Sequence, residues 1–411
     1  MRLGLRGRLV RLGVLLFLSS GVACIPLVKS GADAAKQAPS NGSPGVEEPP
    51  SSTPTPTPAP TPTPTPTPVP TPSSGTHTVN RSSGHTASRL SDGKVLIVGG
   101  MGQSSIHSSA ELFNPITGTT INTGSMARVR AYHSASVLQD GRVLIVGGQS
   151  NNYGPTGSAE IYSPAGGVFV STGSLIKARF EHTSTVLQNG KVLIVGGWED
   201  GPGYDPGTGN FIDTQLLSSA ELYDPETGIF SSVGSMSVGR VNHTATLLPN
   251  GKVLITGGKM NLRSQVDVGT ASAELFDPVS GTFSPLLSML SARCRHQAVL
   301  LPDGRVLVAG GTFLNSAELY DPGMEGFVLT GSLSASRHGF TVELLPNGRV
   351  LIVGGVSGSG QLASTEVYDP SIGTFGTGPM MQKTRAFHAS SILANGGVLI
   401  RVGSDWEFLP Y

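Results

Sequence analysis

Two cysteines in 411 residues, Cys24 and Cys294, exclude a disulfide framework. Charge is scarce too: 13% of residues are Asp, Glu, Lys or Arg, and 27 basic residues balance 27 acidic ones. There is no basic stripe, which argues against nucleic acid as a partner. The sequence contains no His-x-His or Cys-x-x-Cys spacing, so it points to no metal site, and no cofactor is implied. No apolar run approaches the ~20 residues that a spanning helix needs.

Gly (56) and Pro (30) are abundant instead, and one phrase recurs. It reads VLIVGG at Val95–Gly100, Val143–Gly148, Val192–Gly197 and Val350–Gly355. It returns as VLITGG at Val253–Gly258, VLVAGG at Val306–Gly311 and, worn, as VLIRVGS at Val398–Ser404. A short β-branched run bounded by turn residues reads as a strand buried on both faces. The glycine pair allows tight approach or φ > 0 where a side chain would clash.

The first 75 residues are of another kind. Arg2, Arg6, Arg8 and Arg11 precede a short apolar run, Leu12–Leu18, and then small residues up to Ala23. This is the order of an export signal, over residues 1–23. Loss of those arginines leaves 23 basic against 27 acidic residues. Gly21-Val22-Ala23-Cys24 resembles the lipobox of bacterial lipoproteins, with Gly21 where leucine is usual. The resemblance implies lipidation of Cys24 and attachment to a bacterial membrane. Simple cleavage near Ala23, giving a secreted chain, is the alternative. Residues 24–75 form a Thr/Pro-rich linker. Nearly strict Thr-Pro alternation over Thr53–Pro72 forbids helix and ladder and predicts a polyproline II spacer reaching on the order of 60 Å.

From residue 76 to 411 one unit is copied. Each copy begins with a histidine strand, as in His243–Leu248, followed by an Asp-Gly or Asn-Gly turn such as Asp92-Gly93 or Asn189-Gly190. Such turns predict a two-residue hairpin with φ > 0 at both positions. The VLIVGG strand follows, then a variable loop, then Ala-Glu-Leu-Tyr-Asp-Pro (Ala220–Pro225) or a variant, and a last strand such as Ile229–Val233. Four antiparallel strands joined this way make one twisted sheet. The leading histidines are His85, His133, His182, His243, His296, His338 and His388, spaced by 48, 49, 61, 53, 42 and 50 residues.

A four-stranded unit near ~50 residues with a glycine pair has the kelch period. The region resembles a kelch-repeat propeller, the scaffold shared by galactose-oxidase-type proteins. The resemblance implies an all-β, seven-bladed β-propeller, six blades with a stray hairpin being the alternative. Phe230, Phe283, Phe327 and Phe375 stand where kelch repeats often carry tryptophan. The last copy lacks a fourth strand, and Gly75–Arg81 is expected to supply it, removing exposed edges.

The histidines, the arginines just before them (Arg130, Arg179, Arg240, Arg295, Arg337 and Arg385) and a later glutamate (Glu111, Glu160, Glu221, Glu274, Glu318 and Glu366) would suit acid/base chemistry if they occurred once. Repetition in every copy favours a structural role: buried Glu–Arg pairs and hydrogen-bonded histidines tying blades together. Copper-radical sugar oxidases share the implied fold but use a Cys–Tyr crosslink and a further domain. Cys294 reads as a lone thiol.

Recognition is expected in the irregular loops between second and third strands. Three are long. Gln149–Gly157 holds Asn151 and Tyr153; Trp198–Leu217 holds Trp198, Glu199, Asp200, Tyr204 and Asp205; Lys259–Thr270 holds Lys259, Arg263 and Asp267. Tyr204–Phe211 echoes Tyr223–Phe230 and predicts an extra hairpin. The reading that follows is a monomeric, non-enzymatic propeller at the cell envelope, binding a protein or a glycan. A carbohydrate-active enzyme resembling sialate mutarotases, and a purely structural envelope component, are the alternatives.

Overall fold

The computed structural model describes residues 79–411 apart from 152–153, 200–202, 206–209, 213–214 and 261–268. The signal-like segment, Cys24 and the Thr/Pro linker therefore lie outside the described residues. Seven antiparallel sheets follow one another along the chain. Blade 1 is Ser83–Arg89, Val95–Met101, Ala110–Asn114 and Thr119–Asn122, and the next five blades repeat its four-stranded meander. Blade 7 has three strands among the described residues, Ala389–Ile392, Val398–Val402 and Asp405–Leu409. Each innermost strand touches the innermost strand of the next blade, and blade 7 touches blade 1. The ring closes with seven blades.

The recurrent apolar phrase explains the closure. Successive side chains of a strand point to opposite faces. Leu144 and Val146 of blade 2 therefore pack forward against Val192 and Ile194 of blade 3. Val143 and Ile145 pack back against Leu96 and Val98 of blade 1. The same exchange fills every interface, ending with Leu399 of blade 7 against Val95 and Ile97 of blade 1. The outer-strand phenylalanines take part: Phe230 lies opposite Tyr223, ring centroids 4.7 Å apart, and closes the cluster between blades 2 and 3.

The turns differ from the two-residue hairpins expected. In blade 1 the Gly93 N–H donates to the Leu90 carbonyl, and Leu90 N–H to the Lys94 carbonyl, so three residues form the loop. Gly93 has φ +82° while Asp92 does not share that region; its carboxylate instead accepts from the Lys94 N–H. A type I turn closed by one left-handed glycine satisfies the geometry. The glycine pair does have positive φ, for example 63° at Gly147 and 99° at Gly148. A Cβ on Gly147 would lie 2.5 Å from the Arg179 carbonyl oxygen and 2.7 Å from His182 Cε1. Gly147→Ala should destabilise the domain by about 2 kcal/mol, through left-handed strain and overpacking together. Equilibrium denaturation checks this, and an unchanged midpoint would refute it.

Three sequence assignments need correction. His338 is not the sixth repeat histidine: Phe340 fills that place, buried, against Gly310 as the histidines lie against their own glycines. Arg295 is not the buried repeat arginine; that is Arg293, three residues before His296, as Arg130 is before His133. Finally, the part of Gly75–Arg81 that lies within the described residues does not line the outer edge of blade 7. Arg81 exchanges backbone hydrogen bonds with Gly403 (3.1 and 2.7 Å). This repeats the bond from Gly148 N–H to the Arg179 carbonyl made at the preceding blades.

Candidate functional site

The repeated Arg–Glu pairs are structural and lie within one blade, the added Arg401–Glu111 pair at the seam between blades 7 and 1 apart. Arg130 donates to Glu160 at 2.8 Å and Arg179 to Glu221 at 2.8 Å, all four side chains buried. The second Glu160 oxygen accepts from the Ala127 N–H at 2.8 Å. Each pair thus fastens the segment entering a blade to that blade's third strand. Blades are tied to one another by the histidines. Thr86 of blade 1 meets His133 Nε2 of blade 2 at 3.1 Å, Ser134 meets His182 at 2.9 Å, and Thr183 meets His243 at 3.0 Å. Thr244 and His296, and Thr341 and His388, continue the series at 3.1 and 3.0 Å. Burial, then the neighbouring arginines, hold His182, His243 and His388 near pKa 3, so they are neutral.

The residue just before each of these positions is different in kind. Tyr132, Glu181, Asn242, Arg295 and Phe387 have φ between 52° and 56°, and Gly84 and Gly339 have φ 68° and 62°. One left-handed residue per blade therefore stands at the entry to the innermost strand. All seven line a cavity of about 590 Å³ at the mouth of the central channel, with the histidines below them. Backbone bonds join parts of this collar: Tyr132 N–H to the Gly84 carbonyl (2.8 Å), Glu181 to Tyr132 (3.1 Å), Arg295 to Asn242 (3.0 Å) and Phe387 to Gly339 (2.7 Å). The two glycines are where neighbouring aromatics lean in. A Cβ on Gly339 would lie 2.8 Å from the Phe387 ring, and one on Gly84 would lie 3.3 Å from Tyr132 Cδ1. Tyr132 Oη is 3.1 Å from Ser83 Oγ, and the Arg295 guanidinium lies 6.0 Å from the Phe387 ring centroid. Two aromatic residues, a carboxylate, an amide and a guanidinium thus share one rim. This collar escaped sequence reading because a wrong register at His338 hid the column.

The loop residues singled out from the sequence start at the same rim. Gln149, Trp198 and Lys259 pair through their backbones with Ala131, Phe180 and Val241, the residues preceding Tyr132, Glu181 and Asn242. Trp198 is half-buried against Phe180, ring centroids 4.1 Å apart, and Glu199 pairs with Lys177 at 3.3 Å. Asn151 is exposed on a turn. The predicted extra hairpin is present: Tyr204 pairs with Phe211 and Asp205 with Asn210, as Tyr223 pairs with Phe230. Tyr153, Asp200, Arg263 and Asp267 lie outside the described residues.

A family model of the kelch motif matches residues 179–237. No curated protein matches the sequence. Among solved structures, the chain is similar to a novel fungal alcohol oxidase of the AA5 family, in complex with copper. That match has a TM-score of 0.64 and 15% identity over 81% of this chain and 74% of the oxidase. It is also similar to YjhT, with a TM-score of 0.56 and 15% identity over 74% of this chain and 99% of YjhT. Likeness at this identity concerns the fold. No group of three His, Cys, Asp or Glu side chains is placed to hold a metal ion among the described residues, and Cys294 is buried, its Sγ 3.7 Å from Thr312 Oγ1.

Proposed function

We propose that this chain, a seven-bladed kelch-type β-propeller, is a non-enzymatic binding module whose recognition site is the mouth of the central channel. The export-type N-terminus and the Thr/Pro stalk extend the proposal to display at the cell envelope, tethered through Cys24, with a protein or a glycan as ligand. One observation carries the reading. Five blades hold a non-glycine residue in a left-handed conformation at the collar, each a different one, while the arginine two residues before it and the histidine after it are the same in all five. Backbone strain of this kind is tolerated where a side chain must be presented. The three long loops begin beside the same rim and enlarge the surface.

The test exploits the strain. Glycine suits the left-handed region, so replacing Tyr132, Glu181, Asn242 and Arg295 together by glycine should leave the fold at least as stable. The same variant should lose capture of envelope and medium components that the unaltered mature chain retains. Identical capture by both would move recognition off the collar. A companion variant with the three loops shortened separates their share.

A further inference from the structure

Each four-stranded blade sends two turns to the face opposite the channel mouth, one between its first and second strands and one between its third and fourth. In blade 6, residues 347–349 and 369–371 of these turns lie side by side. The Lys or Arg that follows the first turn is ion-paired in blades 1 to 6, as Arg349 is with Asp369 at 2.8 Å. The second turn is less uniform. Between its Pro and its Gly stand Ile116 in blade 1, Val279 in blade 4, Met324 in blade 5 and Ile372 in blade 6, which are 79, 96, 59 and 70% exposed. Blades 2 and 3 carry Ala165 and Glu226 instead. The apolar tips stand on braced turns: Asn114 Oδ1 accepts from the Ile116 N–H at 3.0 Å, and Asp277 Oδ1 from the Val279 N–H at 2.9 Å. Blades 4, 5, 6 and 1 form one arc, interrupted only by blade 7, which has no fourth strand among the described residues. In the same arc the apolar surface continues inward to a recess of about 580 Å³ walled by Leu344, Ile392, Pro302 and Pro346. Arg89 borders the recess, at a position held by Val, Leu or Ile in the other six blades, and has no acidic partner among the described residues. A single exposed apolar residue needs no explanation, but four at the turn tips of one arc do.

We infer that this face rests on a lipid bilayer, with Ile116, Val279, Met324 and Ile372 inserted among the headgroups and the Arg89 guanidinium beside a lipid phosphate. Separate convex side chains would need a matching set of pockets on a protein partner, whereas a fluid bilayer receives them wherever they fall. The paired charges give little long-range pull, so the attraction is apolar and does not require anionic lipid. The occupant rests on the tethering through Cys24 proposed above. Arg81 is bonded to Gly403 on the mouth face. From there residues 24–78 give the chain a reach of up to about 170 Å at the polyproline II rise, enough to pass round the domain to a membrane on its far side. The mouth then faces away from the lipid and stays open to its ligand.

The experiment uses the full mature chain from residue 24 with Cys24→Ser, so that no acyl chain contributes. It is floated with extruded vesicles of phosphatidylcholine alone and of phosphatidylcholine with phosphatidylglycerol. The chain should float with both, and added salt should change little. Replacing Ile116, Val279, Met324 and Ile372 together by serine should weaken the partitioning about a hundredfold and leave the thermal midpoint in place, because all four are exposed. A control variant takes serine at Ile121, Val170 and Leu329, which are 58, 59 and 65% exposed on outer strands. It should partition as the parent does. Absence of flotation with either vesicle would overturn the proposal. So would an equal loss in the tip and control variants, or binding that needs phosphatidylglycerol and vanishes in salt. The mass of the N-terminal peptide of the exported wild-type chain tests the tether separately: an unmodified Cys24 would overturn the tethering alone, whatever the vesicles show.

Discussion

Acidification from pH 7.5 to pH 5 should remove on the order of 10 kcal/mol of stability from the propeller domain, long before its carboxylates titrate. Six buried histidines cause this. Burial first, then Arg401 and Arg81, push His85 down to about 3. His182, His243 and His388 lie near 3 for the same leading reason, and His133 and His296 well below their ordinary value. In the unfolded chain each returns to about 6.5. The native state therefore binds fewer protons than the unfolded state below pH 6.5. Stability is fully present above that value and falls with pH until the folded groups titrate, near pH 3. The four histidines near 3 each contribute about 2 kcal/mol of loss by pH 5, about 8 kcal/mol together, and His133 and His296 add to it in the same direction. This is comparable with the whole stability of an ordinary domain. Chemical denaturation at closely spaced pH values measures it. A midpoint that stays flat between pH 7 and pH 5 would show that the ring is protonated in the native state, or open to water. Exposed carboxylates add a separate loss at lower pH: a hydrogen bond from Lys94 holds Asp92 below the usual range.

The second large effect is expected at the seam between blade 7 and blade 1. Arg401 breaks the pattern of the seventh copy, occupying the place of Val98 or Val146. Its side chain crosses into blade 1 and donates to Glu111 at 2.6 Å, while Arg81 approaches the same carboxylate at 3.5 Å. All three side chains are essentially inaccessible to solvent. The neighbouring charge of Arg401 and burial together lower the Arg81 guanidinium to about 10, burial being the larger cause. Glu111→Gln would leave two buried guanidinium groups facing each other without a counter-charge, which costs about 3–5 kcal/mol. Arg401→Val restores the residue of blades 1, 2, 3 and 6 and leaves Glu111 its ion pair with Arg81 at 3.5 Å, so its cost should be clearly smaller. Denaturation midpoints of the two variants give the order directly. A Glu111→Gln variant within about 1 kcal/mol of the parent would mean that apolar packing, chiefly Leu399 on Val95 and Ile97, closes the ring without help from charge.

Local pattern was enough to read the scaffold from the chain. Strand content follows from the alternation and β-branching of the VLIVGG runs, blade number from counting them, and positive φ at the glycine pair from its recurrence in six of the seven copies. The extra hairpin after Trp198 was legible because Tyr204–Phe211 copies the spacing of a true blade hairpin. The turns were misread because Asp-Gly fits both a two-residue loop and a three-residue loop with one left-handed glycine, and only the backbone bonds choose between them. His338 and Arg295 were misassigned because histidine and arginine were aligned by type. In the structure, distance from the buried arginine sets the register, and at blade 6 that register delivers phenylalanine.

The sequence by itself determined the fold, since each copy carries its own strand, turn and core instructions and these need only nearest neighbours to be satisfied. Tertiary structure alone decided the site. Gly84, Tyr132, Glu181, Asn242, Arg295, Gly339 and Phe387 are some fifty residues apart in the chain and comprise six residue types, so no local motif joins them. They meet because ring closure brings the same backbone position of every blade to one channel mouth.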